Sequence, residues 1–325
     1  KTSNGFPFGL IRMQNENHPP PPPTGLPIAP EGFVGKIPTG PDFIIVGAMK
    51  AGTESMVSCL RKHPEIWMPE GEDGGVAETH YFDRSLTSKK RPFQSNEKYC
   101  SYFDAQRTGK TVVVGEKTPV YMHLPSAMGR IAQALPSVKI IVALRNPTER
   151  AWSHWKYWKR DPEKFLDILG ELKGSSKRSR QDVLRRGFYD EHLQRIYSLF
   201  DKARVHVMIA ERVWADPVKH YNELFGFLGV AKLATDPHIV GKRPQVRNKS
   251  SHSRLANEAR AAIQRVYEPH NESLFDILGY RVSEWKVQKN LEDEDGKNVV
   301  SPNHRENKGL CGRRHEQSDV NVPSI

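Results

Sequence analysis

A lysine stands inside a short, glycine-containing segment that has the composition of a phosphate-binding loop. Residues 47–55 read GAMKAGTES, between the apolar run FIIV and a predicted helix. Small residues let backbone N–H groups approach an anion, a helix N-terminus adds partial positive charge, and Lys50 supplies a full charge. A Walker A loop has its lysine directly after the second glycine, whereas Lys50 comes two residues before Gly52. We therefore predict a phosphate-binding loop that differs from a Walker A loop. The alternative is a turn that merely contains a lysine.

Three further charged residues could complete a site around a bound anion. Glu78 begins the stretch ETHYFD, Lys117 lies within GEKTPVY, and Arg145 follows the apolar run VKIIVAL. A carboxylate can act as general base on an attacking hydroxyl or amine if burial raises its pKa. A guanidinium offers a forked pair of donors to a phosphate, and Ser153 lies about two helical turns further on, where it can face back toward Arg145. For Glu78 and Arg145 the alternative is an ordinary solvated residue.

In this order, these segments resemble the sulfotransferases that use 3′-phosphoadenosine 5′-phosphosulfate (PAPS), and most of all the heparan sulfate and other carbohydrate sulfotransferases. GAMKAGTES looks like the family's 5′-phosphosulfate-binding loop, and VKIIVALRNP with ERAWSH is similar to its 3′-phosphate motif. ETHYFD resembles the family's Lys-Glu-x-His-Phe-Phe-Asp stretch, with Ala77 in place of the usual lysine, and EKTPVY resembles its Glu-Lys-Thr-Pro-x-Tyr element. RGFY, from Arg186, is a weaker match to a segment near the family's acceptor cleft. The likeness covers residues 41 to 285.

The resemblance implies a role for each matched residue. Lys50 would contact the 5′-phosphate and the bridging oxygen, and Glu78 would be the catalytic base. Lys117, together with the adjacent Glu116, would lie near the transferred sulfate or the acceptor. Two residues would hold the 3′-phosphate, namely Arg145 and Ser153. The other donor-binding residues implied by the loop are Ala51, Gly52, Thr53, Glu54 and Ser55.

One part of the family pattern is missing. Many heparan-type members have a cysteine-bracketed loop that carries a Lys-Gly-Arg contact to the nucleotide. This chain has GKRP, with Lys242 and Arg243, and then RNKS, with Arg247 and Lys249, and no cysteine lies nearby. We expect Lys242 and Arg243 to cap the 3′-phosphate, while Arg247 and Lys249 stay open as alternatives.

An alternating series of strands and helices must position these residues. Asn146 followed by Pro147 is a good helix start. Such alternation argues for an α/β fold, with a central parallel sheet flanked by helices on both faces; the resemblance implies the P-loop-kinase-like sulfotransferase fold. The predicted strands are 42–46, 111–115, 138–144 and 205–209, and the predicted helices are 52–63, 126–134, 148–159, 181–200, 217–228, 253–267 and 271–278.

Composition divides the chain into three parts. Residues 1–40 are rich in Pro and Gly and favour a disordered leader or stem, residues 41–286 form the sulfotransferase domain, and residues 287–325 form a disordered charged tail. The chain lacks an initiating Met, so we interpret it as a fragment, with the possibility of a membrane tether upstream. The cysteines have no metal-ligand spacing; Cys59 and Cys100 are predicted to be free buried thiols, with a disulfide between them as the alternative.

The net charge of +11 calls for an anionic partner but does not select one. We predict sulfuryl transfer from PAPS, with its desulfated form PAP as product and no metal, to a hydroxyl or amine of a carbohydrate. The alternatives are a small-molecule acceptor, a P-loop nucleotide kinase, and a binding module for nucleic acid or other polyanions. A nucleic-acid surface needs aromatic side chains on which bases can stack. The one candidate is the stripe formed by Trp152, Trp155 and Trp158, and its spacing fits helix packing or an acceptor-cleft wall equally well. We therefore expect no nucleic-acid partner.

The predicted location is the Golgi lumen, as the luminal part of a type II membrane protein. The Pro-rich leader and two glycosylation sequons, at Asn248 and Asn271, agree with that location. A cytoplasmic location is the alternative.

Overall fold

The computed structural model describes residues 39–71, 74–75, 77–84, 93–158, 161–173, 182–233 and 254–285. The predicted tail and almost all of the predicted leader fall outside these ranges, so the domain boundaries remain predictions. Among the described residues, five strands form one sheet in the order β2-β3-β1-β4-β5, and every pairing is parallel. The predicted α/β class with a central parallel sheet is confirmed. The strands are β1 Phe43–Gly47, β2 Ile66–Trp67, β3 Val113–Lys117, β4 Lys139–Leu144 and β5 Val205–Ile209.

The central strand, β1, explains where a site can form. All five of its residues are buried, as expected for a parallel strand covered on both faces. It pairs with β3 on one side, where Ile45 lies opposite Lys117, and with β4 on the other, where Ile45 lies opposite Ile141. Parallel strands end at the same edge of a sheet, and ligands of such folds bind outside that carboxyl edge. The residues that follow β1, β3 and β4 therefore meet there.

Helices flank the sheet. The start of α4 is set locally, because the Asn146 side chain accepts hydrogen bonds from the backbone N–H groups of Thr148 and Glu149, at 3.0 and 3.2 Å. This cap fixes the chain just beyond Arg145. The helices are α1 Thr53–Leu60, α2 Asn96–Asp104, α3 Pro125–Ala134, α4 Pro147–Tyr157, α5 Tyr189–Leu199, α6 Ala210–Ala215, α7 Pro217–Leu228 and α8 Arg254–Leu278.

The helix predicted over 181–200 is wrong in its first half. Among the described residues of that range, Arg185–Gly187 form a 3-10 turn and the helix begins at Tyr189. The carbonyl of Leu184 accepts the backbone N–H of Gly187 at 2.9 Å, as in a 3-10 turn, and the Tyr267 hydroxyl as a second donor at 2.8 Å. A Cβ at Gly187 would lie 2.7 Å from the Tyr267 ring, so α8 packs directly against this turn. A tertiary contact therefore overrides the local helical pattern.

The two C-terminal helices predicted from the sequence are one helix, α8. It runs through Pro269, where the sequence predicted an interruption. Tyr267 before the proline and Leu274 after it are both completely buried. Packing on both sides of Pro269 thus maintains a helix that proline alone would disfavour. Three elements were not predicted at all, namely β2, α2 and α6.

The tryptophan stripe of α4 is part of the core. Trp152 and Trp155 are 2% and 4% exposed, and both pack against Phe165, whose ring centroid lies 5.0 Å from that of Trp152. Trp158 is partly buried against the same cluster. The stripe therefore cannot serve as a platform for stacked bases, which agrees with the interpretation of its spacing as helix packing.

Cys59 and Cys100 are buried free thiols, as predicted. Burial raises the pKa of Cys59 to about 12 and that of Cys100 to about 11. Neither thiol is therefore activated as a nucleophile at neutral pH.

No helix within the described ranges combines the length and the apolar character needed to span a bilayer.

We predict that Gly115→Ala destabilises the fold. A Cβ at this position in β3 would overlap the Phe43 ring on the neighbouring β1, which is completely buried. Overpacking of this kind costs about 1–3 kcal/mol. Urea unfolding measures the loss. The matched control is Gly129→Ala on the exposed face of α3, where the added Cβ meets nothing within 4 Å and should be neutral or stabilising. Equal stability of the two variants would contradict the packing described here.

Candidate active site

The lysine-containing loop is a tight turn at the carboxyl end of β1. The backbone N–H of Ala48 donates to the carbonyl of Ala143 at 2.7 Å, which ties the loop to β4. Lys50 and Gly52 have φ angles of 69° and 88°, in the left-handed region, which is costly for a lysine and free for a glycine. Gly52 is the N-cap of α1 and offers no side-chain hydrogen bond to it. The first N–H groups of α1 thus have no side-chain cap, as in anion-binding helix termini.

The Lys50 side chain lies among other cations. Its Nζ is 4.2 Å from the centroid of the exposed Tyr157 ring, at the end of α4. Burial lowers the pKa of Lys50, and the positive charges of Arg145 and Lys117 lower it further, while Glu54 opposes them. Lys50 is therefore within electrostatic reach of two further cations, which come from the ends of the two strands that neighbour β1. An anion placed between them would relieve their repulsion.

Arg145 is oriented from several directions and still has unused donors. Its guanidinium donates to the carbonyl of Lys50 at 3.4 Å and lies 5.3 Å from the ring centroid of Trp214. Its own carbonyl accepts a hydrogen bond from the Tyr189 hydroxyl at 2.9 Å. Arg145 Nε is buried and has no hydrogen-bond partner within the described part of the chain. The residue is thus held at the edge of the loop with donors available for an anionic ligand.

Glu78 and Lys117, which the sequence placed 39 positions apart, form one ion pair. Lys117 Nζ donates to Glu78 Oε1 at 2.5 Å, and the lysine is only 2% exposed, whereas the glutamate side chain is 30% exposed. His80 completes the group. Its Nε2 lies 3.3 Å from Glu78 Oε2, and its Nδ1 lies 3.0 Å from Asp83 Oδ2. Glu78 and His80 are the partly exposed members of this group, whereas Lys117 and Asp83 are buried.

The pKa of the Glu78 carboxyl depends on opposing effects. Burial raises it, but the hydrogen bond with His80 and the positive charge of Lys117 outweigh burial, so the pKa is lowered overall. The condition that burial raises the pKa of the base is therefore not met at Glu78, whose role as base stays a prediction. The hydrogen bond with Asp83, followed by that with Glu78, raises the pKa of His80 to about 9. At neutral pH the site therefore contains an ionised Glu78 beside a protonated His80.

The structure supports the other predicted residues unevenly. Ser153 is half-buried in the second turn of α4, and no described hydrogen bond joins it to Arg145. Glu116 is completely buried, and its expected place near the transferred sulfate or the acceptor stays a prediction. Lys242 and Arg243 lie outside the described residues. Within the loop and first turn of α1, Ala51 and Thr53 are buried, Gly52 is half-buried, and Glu54 and Ser55 are exposed.

Four residues at this site were not singled out from the sequence. His80 and Asp83 lie inside the ETHYFD stretch, where their spacing could have suggested a pair. Tyr157 and Trp214 gave no local signal, because only the fold brings α4 and α6 beside the loop. Within the described ranges, no cluster of three or more His, Cys, Asp or Glu side chains is placed to hold a metal ion.

The chain is similar to a known protein family over most of the domain. The model of the family described as "Sulfotransferase domain" matches residues 40–270, more than half of the chain. The human heparan sulfate glucosamine 3-O-sulfotransferase 6 is 26% identical over 265 residues, which cover 74% of this chain and 72% of that protein. A bifunctional heparan sulfate N-deacetylase/N-sulfotransferase 1 from Caenorhabditis briggsae is 24% identical over 283 residues; the match covers 78% of this chain but only 31% of that longer protein.

Solved structures agree on the fold. A sulfotransferase from Alicyclobacillus acidocaldarius superposes with a TM-score of 0.59 at 24% identity, and the match covers 75% of this chain and 98% of that one. A sulfotransferase from Mycobacterium avium gives a TM-score of 0.50 at 14% identity, covering 75% and 78% of the two chains. The parallel sheet with its loop at the carboxyl edge is thus a sulfotransferase fold.

We predict that the titration of His80 depends on both of its carboxylate neighbours. Asp83→Asn should lower the pKa of His80 from about 9 toward the ordinary histidine range, and Glu78→Gln should lower it by less, since the Asp83 hydrogen bond is the larger cause. NMR titration of the imidazole signals measures both shifts. The control is Glu223→Gln, which removes a carboxylate 2.9 Å from a different histidine, His220. An unchanged His80 titration in the Asp83 variant would contradict the geometry.

Proposed function

The chain is a transferase of the sulfotransferase domain family, and on that premise we propose that it transfers the sulfuryl group of PAPS to a hydroxyl or amine of a carbohydrate. The observation that carries the proposal is the convergence of Lys50, Lys117 and Arg145 at one sheet edge, with the carboxylate of Glu78 paired to one of them. Three cations suit a polyanionic donor, and the carboxylate suits proton removal from an acceptor.

The residues present fit the two anionic ends of PAPS. Lys50 and the N–H groups at the start of α1 would bind the 5′-phosphosulfate. The lysine lies inside the turn that precedes α1, beside these N–H groups. Arg145, with its unpartnered Nε, suits the 3′-phosphate. Ser153, Lys242 and Arg243 would add contacts to that phosphate. The lysine position and the family match favour PAPS over the ATP of a nucleotide kinase.

The proposed chemistry is an in-line displacement at sulfur. Glu78 accepts the proton of the attacking hydroxyl or amine as the new bond to sulfur forms. The bond between sulfur and the bridging oxygen breaks, and PAP leaves with that electron pair. Lys50 stabilises the charge that develops on the bridging oxygen, and Lys117 stabilises the sulfuryl oxygens while it holds Glu78 in place. His80, as a cation at neutral pH, keeps Glu78 ionised until the acceptor proton arrives.

A carbohydrate is the favoured acceptor, and a small molecule is the alternative. The human and Caenorhabditis briggsae relatives are named as heparan sulfate sulfotransferases, and the positive net charge of +11 suits an anionic glycan. Transfer assays against a panel of glycans and of small hydroxyl and amine compounds decide between the two classes. Labelling of small compounds alone would overturn the carbohydrate assignment.

We place the activity in the Golgi lumen, where a membrane tether upstream of the given residues would hold the domain. The two sequons and the Pro-rich leader support this location. Asn271 lies in α8, half-buried, while Asn248 and the leader lie outside the described residues.

Loss of either central side chain should abolish most of the transfer. Glu78→Gln removes the base and should lower kcat about 10²–10⁴-fold, and Lys50→Ala removes the leaving-group contact and should lower it about 10²–10³-fold. Sulfate transfer from radiolabelled PAPS measures both. Glu78→Gln should also retain PAP binding, as measured by calorimetry, because Glu78 does not contact the phosphates.

The matched control is Lys110→Ala, an exposed lysine just before β3, at the opposite edge of the sheet from the loop. Its removal changes the net charge by the same amount and should leave transfer unchanged. Full activity in both Lys50→Ala and Glu78→Gln would overturn the proposed function.

A further inference from the structure

Glu116 is a carboxyl group that the reaction described above does not use. It lies in β3 directly before Lys117 and is completely buried. Burying a carboxyl is costly unless hydrogen bonds compensate. Burial raises the pKa of Glu116 to about 7, although the hydrogen bond from the Thr79 hydroxyl opposes the rise. Because burying the Glu116 carboxyl is unfavourable, we expect a structural or functional role for it.

A chain of hydrogen bonds leads from Glu116 to the segment that carries the base. The Thr79 hydroxyl donates to Glu116 Oε2, and its Oγ1 also lies 3.2 Å from the Tyr121 hydroxyl. The Tyr121 oxygen in turn accepts the backbone N–H groups of Tyr81 at 2.9 Å and Phe82 at 3.2 Å. The chain thus joins Glu116 in β3 to three residues of one short segment, Thr79, Tyr81 and Phe82, through buried or half-buried groups.

The donors and acceptors allow one direction through this chain. Two N–H groups already point at the Tyr121 oxygen, so the hydroxyl hydrogen of Tyr121 is free to donate to Thr79 Oγ1. The hydroxyl hydrogen of Thr79 then donates to Glu116 Oε2. Both hydroxyl hydrogens, those of Tyr121 and Thr79, have a partner only if the last group of the hydrogen-bond chain is an acceptor. The carboxyl oxygen of Glu116 is that acceptor. An apolar side chain at position 116 would leave the Thr79 hydroxyl without its partner.

The segment held in this way needs external support. His80, next to Thr79, has a φ angle of 50°, in the left-handed region, which is costly for a residue with a side chain. The same segment places Glu78 against Lys117 and His80 against Asp83. A small displacement of such groups is enough to lower a rate, because the reacting atoms must be aligned closely.

We infer that Glu116, acting through Thr79 and Tyr121, is a positioning residue that holds the base Glu78 in line with the sulfuryl group. The expected effect on kcat rests on the proposed function. The expected effect on the position of the segment from Glu78 to Asp83 does not depend on it. Donor binding is not involved, since Lys50 and Arg145 make no described contact with this chain.

The kinetic experiment compares paired variants. Thr79→Val keeps the shape but removes the hydroxyl, and it should lower kcat about 10–10²-fold, as expected from a misplaced base, with KM for PAPS unchanged. Thr79→Ser keeps the hydroxyl and should retain wild-type kcat. At position 116, Glu116→Leu should behave like Thr79→Val, while Glu116→Gln should retain activity because its amide oxygen still accepts from Thr79. The Tyr99 hydroxyl, an electrostatic neighbour of Glu116, can take the amide hydrogen.

A second readout does not depend on transfer. In Thr79→Val and Glu116→Leu the pKa of His80, followed by NMR, should fall from about 9, because the segment no longer holds His80 against Glu78 and Asp83. The Ser and Gln variants should keep the wild-type value. Unchanged kcat and unchanged His80 titration in Thr79→Val would overturn the inference, and so would an equal loss in the Val and Ser variants. If the wild-type protein transfers no sulfate, the proposed function is refuted. The NMR titration of His80 still tests whether Glu116 and Thr79 hold the segment.

Discussion

The repulsion among three cations at the carboxyl edge of one sheet is the constraint on which this site depends. Parallel pairing of β3, β1 and β4 brings Lys117 and Arg145 within electrostatic reach of Lys50, and burial together with these two charges lowers the pKa of Lys50. Glu54 opposes this effect at Lys50, and Glu78 pairs with Lys117, so the three positive charges face two carboxylates. A protein retains such a concentration of charge when a ligand supplies the opposite sign, and here the ligand must be polyanionic.

The carboxylate that faces these cations is stabilised in its ionised form. Its partners Lys117 and His80 lower the pKa of Glu78, which makes it available to accept a proton throughout the neutral range at some cost in basic strength. The accepted proton remains within a network that already contains a protonated His80. The segment that bears Glu78 and His80 has a left-handed backbone at His80, and the fully buried Glu116 accepts a hydrogen bond from Thr79 in that segment.

Local patterns predicted the parts of this protein that local interactions determine. The loop around Lys50, the capped start of α4 and the strand β5 follow from neighbouring residues and were found from the sequence. The late start of α5 depends on Tyr267, which lies 83 residues after Leu184, and the continuity of α8 through Pro269 depends on the burial of Tyr267 and Leu274 against other elements, so both were missed. The lowered pKa of Glu78 and the place of Trp214 beside Arg145 likewise required the folded structure, because each results from residues that distant strands bring together.

The central claim is that this edge of the sheet binds a nucleotide with separate 5′- and 3′-phosphates. Calorimetric titration with PAP and with adenosine 5′-monophosphate tests it most directly, since the two differ only in the 3′-phosphate that Arg145 is expected to hold. We predict that PAP binds at least about tenfold more tightly, in keeping with a charge-assisted contact to one phosphate, and that Arg145→Ala removes most of the difference. Equal affinity for the two nucleotides, or tighter binding of ATP than of PAP, would contradict the account.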